Sequence, residues 1–349
     1  MKVLVVDDSV VFRMAISQAL TEVPGISNPK TVSNGQLAIQ HLKNFPDTDL
    51  ITLDLEMPVM DGIQTIKEIR KFNKKVIIIV FSSLSIKGAE KTLEALTSGA
   101  NDFVTKQEAG GASSIDASLS MIRELLLPKV TAFSKVQPTP DSANNVLPKT
   151  NIDSFVSMTI KPRLIVIGSS TGGPEALSTI FKGISTKVNL PILIVQHMPP
   201  IFTEKLAQML NNLTPHVEVK EAKVGDELTP GVALIAPGDF HMTLEKGGTI
   251  KLNQDPKVCF VRPAVNVLLD SVSRNFNEQL ACFILTGMGD DGAEGCKKLP
   301  TSKTYHFVQS KETSVVWGMP GAAILAVPTA KIVHLNDISS ILNNIFNRI

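Results

Sequence analysis

One periodicity, run twice, governs what this chain can fold into. Short apolar runs alternate with amphipathic stretches from the first residue, the pattern lapses between Pro128 and Pro162, and it then resumes to the end. Apolar runs bounded by turn residues and followed by helical spacing imply buried parallel strands, each returning through a crossover helix. In the first half, strands are predicted at Lys2–Val6, Lys30–Val32, Leu50–Leu53, Val76–Phe81 and Asp102–Thr105. Ser9 caps a predicted helix with Phe12, Ile16, Ala19 and Leu20 on one face, and the later helices are predicted at Gln36–Asn44, Ile63–Lys71, Ala89–Thr97 and Ile115–Leu127. Five such units make a doubly wound, five-stranded (βα)5 domain over residues 1–127.

From 128 to 160 the texture changes. Pro138, Pro140 and Pro148 punctuate a stretch rich in Ser, Thr, Asn and Lys, which reads as a linker. Residues 161–349 form the second predicted domain, and 349 residues suit about two domains. Strand Leu164–Ile167 leads into helix Pro174–Phe181, and strand Ile192–Val195 into helix Phe202–Leu210. Val217–Lys220 and Ala233–Ile235 read as strands, while His241–Glu245 and Thr249–Asn253 flank Lys246-Gly247-Gly248 as a hairpin. Helix Ala264–Ser273, strand Cys282–Leu285, short closing strands and helix Ile338–Asn347 complete the pattern. The second domain is therefore α/β as well, with a mainly parallel sheet and an antiparallel hairpin.

Composition excludes several classes. The formal net charge is +1, with 43% hydrophobic and 19% charged residues, so no charge excess points to nucleic acid. No apolar run reaches the roughly 18 residues of a membrane helix, and the run after Met1 is too short for a secretory signal. Cys259, Cys282 and Cys296 are odd in number and lack metal-ligand spacing. Reduced thiols and a cytoplasmic location are the expectation.

Polar groups end the strands of the first half: Asp7 and Asp8 after the first, Asp54 after the third, Ser82 after the fourth and Lys106 after the fifth. In a doubly wound sheet such groups meet at one edge. Three carboxylates there call for a hard cation, and Mg²⁺ suits oxygen ligands. Asp54 can attack phosphorus, with Ser82 and Lys106 binding the phosphoryl oxygens.

The second half opens on Gly168-Ser169-Ser170-Thr171-Gly172, a G-x-S-x-G pattern between a strand and a helix. Ser170 is the candidate nucleophile and Ser169 its rival. Gly168–Gly173 fits neither the dinucleotide fingerprint nor a Walker loop. His197 follows the next strand and is placed to act as base, and Asp291 follows Cys282–Leu285 and can orient it. Asp291 can equally cap the helix after it. Backbone N–H groups of Gly287-Met288-Gly289 can supply an oxyanion hole. His41 reads as solvated, His216, His306 and His334 as packing residues, and His241 as lining a site or holding its turn.

Residues 1–127 resemble the response-regulator receiver domain, most specifically in Leu53-Asp54-Leu55-Glu56-Met57-Pro58-Val59-Met60-Asp61-Gly62. The resemblance implies that Asp54 is the phosphoacceptor, Asp8 a Mg²⁺ ligand and Asp7 an indirect one. Phe103 stands where the family often has a switch aromatic, or is a packed core residue. Gln107 departs from the proline that usually follows the lysine.

Residues 161–349 resemble the catalytic domain of the chemotaxis protein-glutamate methylesterase family. The resemblance rests on Gly168–Gly173, Gln196-His197-Met198-Pro199-Pro200, Ala236-Pro237-Gly238-Asp239, Leu285-Thr286-Gly287-Met288-Gly289 and Gly318-Met319-Pro320. It implies a Ser170, His197, Asp291 triad, oxyanion binding by the Met288 N–H, and Thr171 lining the site. It implies hydrolysis of glutamyl methyl esters and deamidation of glutamines on the cytoplasmic domains of chemoreceptors, without a cofactor for the ester chemistry. A chemotaxis histidine kinase is the implied phosphodonor, and the unphosphorylated receiver is expected to cover the cleft. Asp290, Asn266 and Lys311 depart from the family pattern. A rival expectation is a non-enzymatic docking module on the same fold. A DNA-binding regulator is weaker, because no basic helix-turn-helix stretch appears.

Overall fold

The apolar runs become strands in both halves of the computed structural model, which describes residues 1–106, 115–135 and 161–347. These residues belong to two compact units, Met1–Pro138 and Thr139–Ile349. In the first unit the strands are β1 (Val3–Val6), β2 (Lys30–Val32), β3 (Leu50–Asp54), β4 (Ile77–Ser83) and β5 (Asp102–Lys106). They form one parallel sheet in the order β2-β1-β3-β4-β5. The order reverses between β1 and β3, so a crevice opens beyond their carboxyl ends, where Asp7 and Asp54 sit. Helices α1 (Val10–Leu20), α2 (Gly35–Asn44), α3 (Gly62–Phe72), α4 (Ile86–Thr97) and α5 (Ile115–Leu125) connect and flank the strands. Ser9, Asn34, Asp61 and Ser85 cap the first four by accepting a backbone N–H from the first turn, a contribution of about 1 kcal/mol each.

One element corrects the sequence reading. Helix α6 (Leu127–Lys135) occupies the expected start of the linker at 128. Pro128 lies in its first turn, where a missing N–H costs nothing. Leu126, Val130 and Phe133 are buried, and Lys129 pairs with Asp102 of β5 at 2.7 Å. The first unit thus runs past 127; the remainder of the expected linker, 136–160, lies outside the described residues.

The second unit has β6 (Leu164–Ser169), β7 (Ile192–Gln196), β8 (Glu218–Glu221), β9 (Val232–Ile235), β10 (His241–Leu244), β11 (Ile250–Asn253), β12 (Leu280–Ile284), β13 (Thr304–Gln309) and β14 (Lys331–Val333). Seven of them form a wholly parallel sheet in the order β14-β13-β12-β6-β7-β9-β8. β10 and β11 form the expected antiparallel hairpin. The helices are α7 (Gly173–Lys182), α8 (Phe202–Asn211), α9 (Val265–Asn275), α10 (Ala293–Lys298), α11 (Gly318–Ala326) and α12 (Leu335–Phe346). The chain leaves β6 toward β7 on one side and returns to β12 on the other, so the switch-point crevice lies at the end of β6. Leu164, Val166, Leu193, Val195 and Leu268 are completely buried in the core beneath it. Among the described residues, no helix is long and apolar enough to cross a membrane.

Candidate active site and acidic centre

Register brings the serine and histidine together. Ser169 and Gln196 are lateral partners in the parallel pair β6–β7. The next residues, Ser170 and His197, therefore leave neighbouring strands side by side, at the ~4.8 Å spacing of a sheet. On the other flank, Leu285 N–H donates to the Gly168 carbonyl at 2.8 Å and Ser170 N–H to the Thr286 carbonyl at 3.0 Å. This draws the turn after β12 against Ser170. Gly287 makes the approach feasible, because a Cβ there would lie 2.8 Å from the Ser170 Cβ.

The two serines have different surroundings. Ser169 is fully buried, and its hydroxyl donates to Gln196 Oε1 at 2.6 Å. Ser170 is half-buried, and no hydrogen bond among the described residues engages its hydroxyl. Gln196, read from sequence only as part of a motif, is a buried bridge. Its Nε2 donates to the carbonyls of Ser170 and His197 at 3.0 and 3.2 Å. A glutamine closing a buried strand beside the serine strand was the available signal.

Asp291 lies 2.8 Å from His197 Nε2 and is 2% exposed. Its carboxylate also accepts the N–H groups of Val265, Asn266 and Gly292 at 2.6, 2.9 and 3.0 Å. Val265 and Asn266 open α9, and Gly292 caps α10. Two helix N-termini thus hold one negative charge, the arrangement their dipoles favour. The helix-capping contacts and the contact with His197, expected as alternatives, coexist in this residue. A neutral imidazole here donates Nε2–H to the carboxylate and keeps its lone pair on Nδ1. The ring is reversed relative to the serine-protease template, in which Nδ1 faces the acid.

Met288 is half-buried, and no described residue accepts its N–H. Thr171 is buried, and its carbonyl accepts the Thr286 hydroxyl at 2.9 Å. Asn266 Oδ1 accepts the N–H groups of Gly292 and Gly295 at 3.0 and 2.7 Å, so this departure still caps α10. Asp290 and Lys311 are exposed. Although Cys259 is exposed, desolvation of its thiolate, with Asp291 and Asp290 adding to it, pushes the thiol up to about 11. It stays protonated at neutral pH and is no rival nucleophile.

In the first unit, carboxylate oxygens of Asp7, Asp8 and Asp54 all lie within 4.8 Å of one another. Asp7 and Asp54 are buried and Asp8 is exposed. Lys106 Nζ lies 2.9 Å from Asp7 Oδ2 and 2.8 Å from Asp54 Oδ2, over the Phe12 ring at 4.6 Å. Burial pushes the Asp54 carboxyl up to about 6; Lys106 opposes the shift and Asp7 adds to it. For Lys106, burial favours the neutral amine, but Asp54 and Asp7 outweigh it and raise the pKa. An incompletely neutralised set of hard oxygens fits Mg²⁺. Ser82 is buried, with its hydroxyl donating to the Gly88 carbonyl in the first turn of α4 at 2.9 Å. Phe103 is buried near Lys129. Gln107 lies outside the described residues.

The remaining histidines are mostly structural. His41, expected to be solvated, is half-buried against Phe45 at 4.7 Å. His216 is half-buried, His306 is buried, and His334 caps α12. His241 is buried, with Nε2 3.2 Å from the Pro256 carbonyl, which favours the turn-holding alternative.

Residues 165–342 match the family described as CheB methylesterase, and residues 3–112 match the response regulator receiver domain. A protein-glutamate methylesterase/protein-glutamine glutaminase from a Nocardioides species is 39% identical over 345 residues, 97% of this chain and 93% of its own. The protein of the same description from Halalkalibacterium halodurans is 40% identical over 341 residues, 97% of this chain and 96% of its own. The crystal structure of the Thermotoga maritima CheB methylesterase catalytic domain is 38% identical, with a TM-score of 0.50, and the match covers 53% of this chain and 99% of that one.

Proposed function

The chain belongs to the protein-glutamate methylesterase/protein-glutamine glutaminase family, and from that premise we propose a phosphorylation-activated hydrolase acting on chemoreceptors. Its reaction is cleavage of glutamyl methyl esters to glutamate and methanol, with deamidation of particular glutamines as the parallel activity. The His197–Asp291 pair beside an unengaged Ser170 hydroxyl carries this reading. Ser170 Oγ attacks the side-chain carbonyl as His197 takes its proton on Nδ1. The oxyanion accepts the Met288 N–H. His197 then protonates the departing methanol or ammonia, and water hydrolyses the acyl-enzyme by the same base. Asp291 keeps the imidazole in the Nε2–H tautomer and stabilises the imidazolium. Thr171 supports the site through its tie to Thr286.

The receiver half is the switch in this reading. Asp54 accepts a phosphoryl group from a chemotaxis histidine kinase, with Lys106 and a rotated Ser82 binding its oxygens. Asp8 and Asp54 would hold Mg²⁺, with Asp7 acting indirectly, and the bound ion would offset the negative charge between acceptor and donor. The proline-bearing segment 136–160 links the halves, and the protein works in the cytoplasm, where receptor signalling domains lie. A serine-reactive phosphonate tests the reading: it should label Ser170 and abolish ester hydrolysis. Absence of labelling with receptor binding intact would leave a docking module on an esterase-like fold.

A further inference from the structure

Between β11 and α9 the chain makes a tight hairpin beside the triad. Val258 and Val261 exchange both backbone hydrogen bonds, at 3.2 and 3.1 Å. The two residues between them, Cys259 and Phe260, have φ of 52° and 65°. This is the left-handed pattern of a type I′ turn, which Asn-Gly occupies with little strain. Here a thiol and an aromatic ring occupy it. Phe260 is 95% exposed, more than any other large apolar side chain among the described residues. Water disfavours the exposed ring, and Cβ sterics disfavour the left-handed φ it stands on, so neither conformation nor burial on folding accounts for a phenylalanine here.

The hairpin is held rigidly. Arg262 donates to Asp239 Oδ1 at 3.0 and 2.6 Å and to the carbonyls of Gln254 and Asp255 at 2.7 and 2.9 Å. Buried His241 meets Pro256 from below. The tip is also tied to the reacting centre. Asn266 Nδ2 lies 3.6 Å from Cys259 Sγ, while its backbone N–H holds Asp291. Gly238, next to the Asp239 that Arg262 grips, packs so closely on Pro199 and Pro200 that a Cβ would come within 2.3 Å. The segment after His197, the turn at 238 and the hairpin are thus one continuous rim, with Phe260 its most exposed large apolar side chain.

We infer that Phe260 is a substrate-docking residue: its ring enters an apolar recess on the folded protein that bears the glutamyl ester, and holds that ester over Ser170. The inference rests on the hydrolase reading above. A glutamyl side chain is short, so the backbone carrying it must lie across the rim, and a preordered aromatic knob gives the largest contact for the least ordering. The exposed charges around the tip, Asp255, Lys257 and Asp290, carry no basic excess, which argues against a lipid surface, where basic companions are the rule.

The test uses the full chain, with Mg²⁺ and a small phosphodonor present throughout, and two substrates: a methylated, folded chemoreceptor cytoplasmic fragment, and the γ-methyl ester of N-acetylglutamate amide, too small to span the rim. For Phe260→Ser, kcat/KM on the receptor fragment should fall about tenfold or more, mainly through KM, while small-ester turnover stays within about twofold. Phe260→Trp should retain receptor activity. Equal loss on both substrates would mean that the hairpin only supports the site, and no loss on the receptor would remove Phe260 from docking. Phe260-dependent binding to anionic vesicles with receptor turnover unchanged would assign the ring to lipid. A wild-type chain inactive on both substrates would overturn the hydrolase reading itself.

Discussion

Asp291 and Asp54 are both buried carboxylates near the ends of parallel strands, 2% and 5% exposed, yet their surroundings are opposite. Asp291 receives three backbone N–H groups and an imidazole. Asp54 receives one backbone N–H at 3.3 Å and a share of the Lys106 ammonium, and it faces two more acids. The first charge is completely met by fixed groups, as a residue that must hold a histidine still requires. The second is left short of positive charge, which suits the proposed cation and phosphoryl site. In the function proposed above, satisfaction marks the positioning carboxylate, and its lack marks the switching one.

The comparison can be broken by substitution. The largest effect is expected for Ser170→Ala, which removes the nucleophile and should lower kcat for ester hydrolysis by about 10⁴-fold or more, with circular dichroism unchanged. Asp291→Asn should lower kcat by roughly 10³- to 10⁴-fold, and it should also lower the melting temperature. An amide cannot accept from all the N–H groups around it, and each lost partner costs about 1–3 kcal/mol. The same substitution at Asp54 should have the opposite sign. The folded pKa of Asp54 is raised to about 6 from an ordinary 3.8. The penalty is therefore absent below the lower value, grows between the two, and is complete above the higher one. Asp54→Asn should stabilise the receiver by about 3 kcal/mol near pH 8 in chelator, with the gain gone near pH 4. Urea melts at the two pH values check this, and a gain independent of pH would contradict it. Mg²⁺ should raise wild-type stability and do less for Asp54→Asn, as linkage requires. The smallest effect is expected for Ser169→Ala: stability falls by about 1–2 kcal/mol because Gln196 Oε1 loses its donor, while ester hydrolysis persists.

The sequence already carried the sheet edges. Asp7, Asp54, Ser170 and His197 were legible because each follows an apolar run directly or within three residues, and a run of that length fixes where the strand stops. Helix α6 was not, because Pro128 stands among other prolines and the buried spacing Leu126, Val130, Phe133 crosses into a linker-like stretch. Helix α11 was obscured by Gly318, Pro320 and Gly321 in its first turn. The orientation of the His197 ring and the three N–H groups on Asp291 depend on packing that brings the start of α9 to the turn after β12, residues 265 and 291 apart in sequence. No local pattern encodes that meeting.

The most direct measurement is mass spectrometry of methylated receptor fragments incubated with the full chain, Mg²⁺ and a small phosphodonor, beside Ser170→Ala and Asp54→Asn controls. The expected result is conversion of glutamyl methyl ester to glutamate that the phosphodonor accelerates in wild type only. It should be lost in Ser170→Ala, and in Asp54→Asn it should stay at the basal rate. Conversion that survives Ser170→Ala, or an equal phosphodonor response in Asp54→Asn, would contradict the account.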